Sequence, residues 1–145
     1  MYRAFETYRG VVYPWSMDHV GHMNVASYTA RFDEATWQFL SGLGLTPTFL
    51  KGQSRSAVAA DQKTQYKREV LSGSLLHVTS ELLELGRKKI RFAHTMYDSE
   101  TNEVVAVTEL VGVYFDVEHR VSAELPDVVR ERASALLIDA ALSVS

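Results

Sequence analysis

Cysteine is missing altogether from the 145 residues. With it go disulfides, thiolate zinc sites and a cysteine nucleophile. Neither charge sign dominates. Fifteen Lys and Arg stand against 18 Asp and Glu, a net of −3, which argues against nucleic-acid binding by bulk charge. No apolar run is long enough for a membrane span. The most apolar late stretch, 133–144, is interrupted by Asp139 and falls short of the roughly 20 residues a span needs. Met1 to Glu6 has no apolar h-region, so no signal peptide is expected. There is no G-x-S-x-G elbow, no G-x-G-x-x-G or Walker A loop and no H-E-x-x-H, so the routes those motifs serve lack support. Repeats, linkers and low-complexity segments are absent too. The expectation is one soluble, cytoplasmic domain over residues 1–145, with no metal, cofactor, nucleic-acid or membrane partner.

What remains is ordinary globular material, 46% hydrophobic and 23% charged, enough for one domain with a core. Tyr8 to Tyr13 is β-branched and aromatic and reads as a strand stopped by Pro14. Apolar residues then recur at Val25, Tyr28, Phe32, Ala35, Phe39 and Leu43, one face of a long helix. Gly42 and Gly44 end it. Ala26, Ala30 and Trp37 add a second apolar side, the mark of a wrapped helix. Residues 44–55 read as a loop. Ser56 to Val70 reads as a strand, with Val58, Ala60, Gln62, Thr64 and Tyr66 on one face. Leu75 to Leu85, Ile90 to Tyr97 and Val104 to Phe115 follow as three more. Short turns predict an antiparallel meander of these four. Pro126 opens a terminal helix carrying Val129, Ala133, Leu136, Leu137 and Ala140. The class is α+β, in the order β-α-β-β-β-β-α.

Between the first strand and the long helix lies Met17-Asp18-His19-Val20-Gly21-His22-Met23-Asn24. Gly21 permits a backbone other residues resist, and Asn24 is a strong N-cap. A carboxylate, two histidines and the positive end of a helix dipole are thus gathered within a few residues. Asp18 is either a loop aspartate bonded to backbone or a group that activates water or attacks a carbonyl. The three-residue spacing of His19 and His22 suggests a metal only weakly, because no thiolate or H-E-x-x-H accompanies it.

Asp18-x-x-Gly21-His22-Met23-Asn24, with Tyr28 four residues on, resembles the D-x-x-G-H-x-N-x-x-x-Y signature of the hotdog-fold acyl-CoA thioesterases, the 4-hydroxybenzoyl-CoA thioesterase-like group. The resemblance extends over most of the chain. It implies a hotdog fold, a five-stranded antiparallel sheet wrapped around a long central helix, here with a C-terminal helix. It implies a thioester hydrolase acting on a small acyl-CoA, as a homodimer or homotetramer with sites at the dimer interface. Asp18 falls on the family's catalytic carboxylate, nucleophile or base. The backbone around Asn24 and Val25 falls on its oxyanion hole, the Asn24 side chain serving as cap. His22 stands at the family's common histidine. Glu34, on the helix, is the reserve carboxylate.

The densest basic run is Arg87-Lys88-Lys89. Such runs are usually solvated faces, but the family binds the CoA nucleotide at its surface, which makes this run a candidate phosphate site, with Lys67-Arg68 second. Trp15 and Tyr28 are candidates for contact with the acyl group. Segments 66–70, 92–97 and 107–110 are similar to the carnitine-linked branch, whose substrate is betainyl-CoA, and aromatic faces hold a quaternary ammonium well. Two other readings compete. One is a non-catalytic hotdog module that binds acyl-CoA or another small ligand. The other is a hydroxyacyl-thioester dehydratase pairing His22 or His94 with Glu34.

Overall fold

The computed structural model describes residues 1–138. Strand β1 (Phe5–Val11) leads through a 3₁₀ turn (Pro14–Ser16) into α1 (Val25–Gly42) and the short α2 (Pro47–Gly52). Strands β2 (Arg55–Tyr66), β3 (Leu75–Leu85), β4 (Lys89–Asp98), β5 (Val104–Asp116) and β6 (Val121–Ser122) follow, then α3 (Asp127–Ala135). The sheet runs β1-β3-β4-β5-β2, with two-residue β6 beside β5. This is the curled antiparallel sheet of the hotdog class.

Only β3, β4 and β5 form the expected meander. β2 pairs with β5 at the far edge, from Arg55 opposite Asp116 to Tyr66 opposite Ala106. β3 gives its other side to β1, with Phe5 opposite Ser80 and Val11 opposite Leu75. The segment from Lys67 to Ser74 is too long for a tight hairpin and carries the chain across the sheet instead. Its residue Val70 is buried. The single-face alternation expected of β2 also breaks. Ala59 lies opposite Gly112 and Asp61 opposite Val111, so Ala60 is the extra residue of a bulge, which inverts the phase of the strand.

Helix α1 packs over the β1–β3 half of the sheet. Tyr28, Phe32, Ala35, Phe39 and Leu40 are buried, whereas Ala26, Ala30 and Trp37 stay exposed. The second apolar side therefore has no cover among the described residues. Residues 47–52, read as loop, make one helical turn. Thr46 Oγ1 accepts from Phe49 N at 3.1 Å and Pro47 sits at the first helical position, a start signal on an element too short to show periodicity. The last helix ends sooner than expected. Leu136 is its C-cap and Leu137 bridges Tyr2, because Arg3 N donates to Leu136 O and Ile138 N to Met1 O, pulling the chain alongside the N-terminus. Ala140 lies outside the described residues.

The core falls into two apolar clusters. One gathers Phe39, Leu43, Leu82, Phe92 and Leu110, the other Phe32, Val78, Met96 and Ala106. Between them runs a polar row across the sheet: Ser80 opposite His94, His94 opposite Thr108, Thr108 opposite Thr64.

Candidate active site

The loop before α1 is a small hairpin of its own. Asn24 N donates to Ser16 O at 3.0 Å, Met17 and Met23 form a bridge, and Asp18 N donates to His22 O at 2.8 Å. Gly21 turns it, with φ of +88° and open space around it, so glycine is required here for its backbone and not for room.

Asp18 Oδ1 accepts from Val20 N at 3.0 Å and His22 N at 3.2 Å. These backbone donors, His22 first, hold its carboxyl below the usual aspartate value, so it is ionised near neutrality. Its second oxygen has no partner among the described residues. At the helix start, Asn24 Oδ1 accepts from Ser27 N at 2.8 Å. The Asn24 N–H is already committed to Ser16, so of the two expected backbone donors Val25 remains. Ala26 joins it, since neither N–H has a partner among the described residues. Cap rules predict free donors in a first turn but not which of them the preceding loop consumes. Asp18 and Val25 thus belong to one loop–helix unit, Asp18 on the first arm of the hairpin and Val25 directly after its second.

The other candidates scatter. The His22 ring meets Glu69 (Nε2 to Oε2, 3.2 Å) and makes no bond to the Asp18 carboxylate. His19 is exposed. Trp15 is 78% exposed and stacked on Tyr13 at 4.7 Å. Tyr28 is buried, its hydroxyl donating to Arg68 O at 3.3 Å and its ring set edge-on to Tyr66. Arg87, Lys88 and Lys89 sit at the β3–β4 turn, and Arg87 pairs with Glu124 at 3.3 Å. That turn is the opposite end of β3 from the Asp18 loop, about 30 Å away for a strand of this length. Glu34 is exposed on the outer side of α1, in a shallow site with Glu6, Arg9 and Gln38. His94 is fully buried and bonded through both ring nitrogens to Ser80 and Thr36. It cannot meet Glu34, which removes the dehydratase pair built on it.

One feature escaped sequence reading. An apolar groove of about 160 Å³ lies between the uncovered side of α1 and the β5–β2 edge, walled by Thr29, Asp33, Trp37, Val58 and Leu110. Its nearest residue, Thr29, is one helical turn beyond Val25.

The model of the thioesterase-like superfamily matches residues 12–133. The chain belongs to the thioesterase-like superfamily. This member is 25% identical over 136 residues to a betainyl-CoA thioesterase of Pseudomonas aeruginosa, covering 94% of this chain and 86% of that one. It superposes on a Staphylococcus aureus protein solved in complex with CoA, with a TM-score of 0.86, 18% identity and coverage of 94% and 85%. A putative thioesterase of Pseudomonas putida gives a TM-score of 0.78 at 26% identity, covering 92% and 84%. The superfamily assignment carries the thioester-hydrolase class. No helix among the described residues is long and apolar enough to cross a membrane.

Proposed function

We propose that the protein hydrolyses a small acyl-CoA thioester, with Asp18 as the reacting carboxylate and the N–H groups of Val25 and Ala26 as the oxyanion hole. The observation that carries this reading is the hairpin geometry. One hairpin carries an ionised carboxylate with one oxygen unpartnered among the described residues and runs straight into a helix whose first two N–H groups are unpartnered there too. Either that oxygen takes a proton from water, which adds to the thioester carbonyl, or it attacks the carbonyl itself to give an anhydride that water then opens. Both routes break the C–S bond, and the CoA thiolate leaves and takes up a proton. The role of His22 in this scheme is indirect. Its backbone N–H fixes Asp18, and its ring pairs with Glu69.

We infer a homodimer, located in the cytoplasm with the acyl-CoA it consumes. Among the described residues no strand lies on the outer side of β2, and Val58 on it is 45% exposed. An open edge of that length invites pairing. Two copies pairing antiparallel through β2 would carry the Arg87–Lys89 turn of one copy towards the Asp18 loop of the other. That arrangement would give a CoA phosphate its basic contact despite the separation within one chain.

Betainyl-CoA is the specific substrate proposed. The relatedness to the Pseudomonas aeruginosa enzyme supports it, as does the exposed Trp15 face next to Ser16, which bonds the helix cap. A desolvated cation–aromatic contact is worth about 2 kcal/mol, or roughly 30-fold. The test is a thiol-release assay over an acyl-CoA panel that includes betainyl-CoA and its charge-free isostere, the 3,3-dimethylbutanoyl ester. A preference of roughly 30-fold in kcat/KM for the cation is expected. Equal values would end the cation reading, and no turnover on any ester would leave the non-catalytic ligand-binding module.

A further inference from the structure

His94 has no part in the chemistry above, yet like Ser80 and Thr108 it is wholly enclosed. It is fully buried, stacked on Phe32 at 5.9 Å and edge-on to Phe92 at 5.3 Å. Burial lowers its pKa to about 4, so the ring is neutral at working pH. Both nitrogens are satisfied: Nδ1 lies 2.6 Å from Ser80 Oγ and Nε2 lies 2.8 Å from Thr36 Oγ1. Two proton arrangements serve the chain. In one, Thr36 O–H donates to Phe32 O at 3.0 Å, Nε2–H donates to Thr36, Ser80 O–H donates to Nδ1 and Thr7 O–H donates to Ser80 at 2.7 Å. In the other, Thr36 O–H donates to Nε2, Nδ1–H to Ser80, Ser80 O–H to Thr7 and Thr7 O–H to Val78 O at 3.4 Å.

This chain joins β1, β3 and β4 to the middle of α1. The apolar clusters on either side grip the helix without direction, because hydrophobic contact is indifferent to small slides and rotations. Hydrogen bonds are not indifferent. Among the described residues two other side chains tie α1 down, Tyr28 to Arg68 O and Arg31 to Tyr8 and Ser16. Both act through long side chains at the partly solvated end, and Arg31 leaves its buried Nε unpartnered. Thr36 and His94 have one and two rotatable bonds, so their contact fixes the backbone closely.

We propose that His94, acting through Thr36, is a positioning residue that sets the rotation and axial place of α1, and with it the place of the Val25 and Ala26 N–H groups opposite Asp18. Thr36 is 11 residues beyond Val25, about 16 Å along a stiff helix, so a displacement at Thr36 reaches the first turn undiminished. Displacement of a reacting group by about 1 Å can cost 10²-fold. The proposal rests on the oxyanion role given to that first turn.

The test compares Thr36→Val, which keeps shape and loses the hydroxyl, with Thr36→Ser, which keeps the hydroxyl, and with His94→Phe. Each is measured on folded protein for kcat, KM and amide hydrogen exchange. Thr36→Val is expected to lower kcat at least about tenfold with KM within about twofold, a loss confined to the transition state. Thr36→Ser should restore most of that. Adding His94→Phe to Thr36→Val should cost little more, since both cut one tie. Exchange at the Ser27 and Tyr28 amides, the first bonded ones of the helix, should quicken in Thr36→Val while β3–β5 amides hold. Unchanged kcat and unchanged exchange in Thr36→Val, a mild substitution, would overturn the proposal even if His94→Phe fails to fold. Quickened exchange in a protein whose wild type cleaves no thioester would support the positioning role and discard the thioesterase reading alone.

Discussion

Asp18 and Asp116 are built almost alike. Each begins a tight turn, and each uses Oδ1 to accept two backbone N–H groups a few residues on, Val20 and His22 for the first, Glu118 and His119 for the second. Backbone donors lower the pKa of both. They differ in what is left over. Asp116 is buried, its Oδ2 lies 2.8 Å from His119 Nδ1, and Arg55 approaches Oδ1 to 3.5 Å. Asp18 keeps one oxygen without a partner among the described residues. The same local motif thus closes on itself at one end of the sheet and stays open at the other. A carboxylate's chemistry is set by the valence its turn does not use.

The sharpest way to break the comparison is a pair of matched substitutions. Asp18→Asn keeps an oxygen for both backbone donors and removes the charge. Turnover should fall by roughly 10²–10⁴ with the melting temperature nearly unmoved. Asp116→Asn should do the reverse, lowering the melting temperature by losing Arg55 and His119 while kcat per folded molecule stands. Near-normal turnover in a folded Asp18→Asn protein would instead bring Glu34 forward.

Acid separates the two ends from the middle. Protons reach Asp18 and Asp116 only below the ordinary aspartate range, because their folded pKa values are depressed. Their stabilisation is present above that range and is lost on descending through it. His94 acts earlier. Its folded pKa of about 4 lies below the ordinary histidine value of 6.5, so in that window the unfolded chain takes a proton that the folded chain refuses. Stability should fall as pH drops from about 6.5 to 4, by on the order of 3 kcal/mol in all. Denaturant midpoints across pH 7 to 4 check this, and the His94 ring resonances should keep their neutral shifts until pH nears 4.

The smallest expected effect concerns the basic turn. Replacing Lys88 and Lys89 together with Ala should raise KM for acyl-CoA roughly 2- to 30-fold, from two contacts at the usual exposed-pair strength, leave kcat alone and fade with salt. Because this turn lies about 30 Å along β3 from the Asp18 loop of its own chain, mixed dimers sharpen the test. An Asp18→Asn protomer paired with a doubly substituted one should regain one complete site at low substrate. Additive defects in the mixture would put the phosphates elsewhere, with Arg68 next to examine.

Much of this was legible in the residues. Period-two and period-3.6 patterns located every long element, and Leu75–Leu85 has the observed bounds. The Gly21 turn, the backbone bonds of Asp18 and the Asn24 cap followed from those residues, because such roles are local. What stayed hidden was non-local. Nothing in Ser56–Val70 announces a partner strand fifty residues later, and a bulge at Ala60 leaves no mark among small residues. His94 sits inside an apolar strand pattern, where a histidine reads as an interruption until Ser80 and Thr36 are seen on either side. Which cap donors are consumed depended on Ser16, a residue no capping rule singles out.

The strand order also governs how the chain is made. β2 is complete at Tyr66, but its partner β5 ends only at Asp116. At a synthesis rate of about 5–20 residues per second, the finished strand waits roughly 3–10 s for the residues that will cover its inner edge. During that interval both of its edges are open to other chains. Asp61, Lys63 and Lys67 lie within or beside it, and charges of that kind discourage wrong pairing. Neutralising them would be felt first in the yield of folded protein from the ribosome, before any loss in the activity of molecules that do fold.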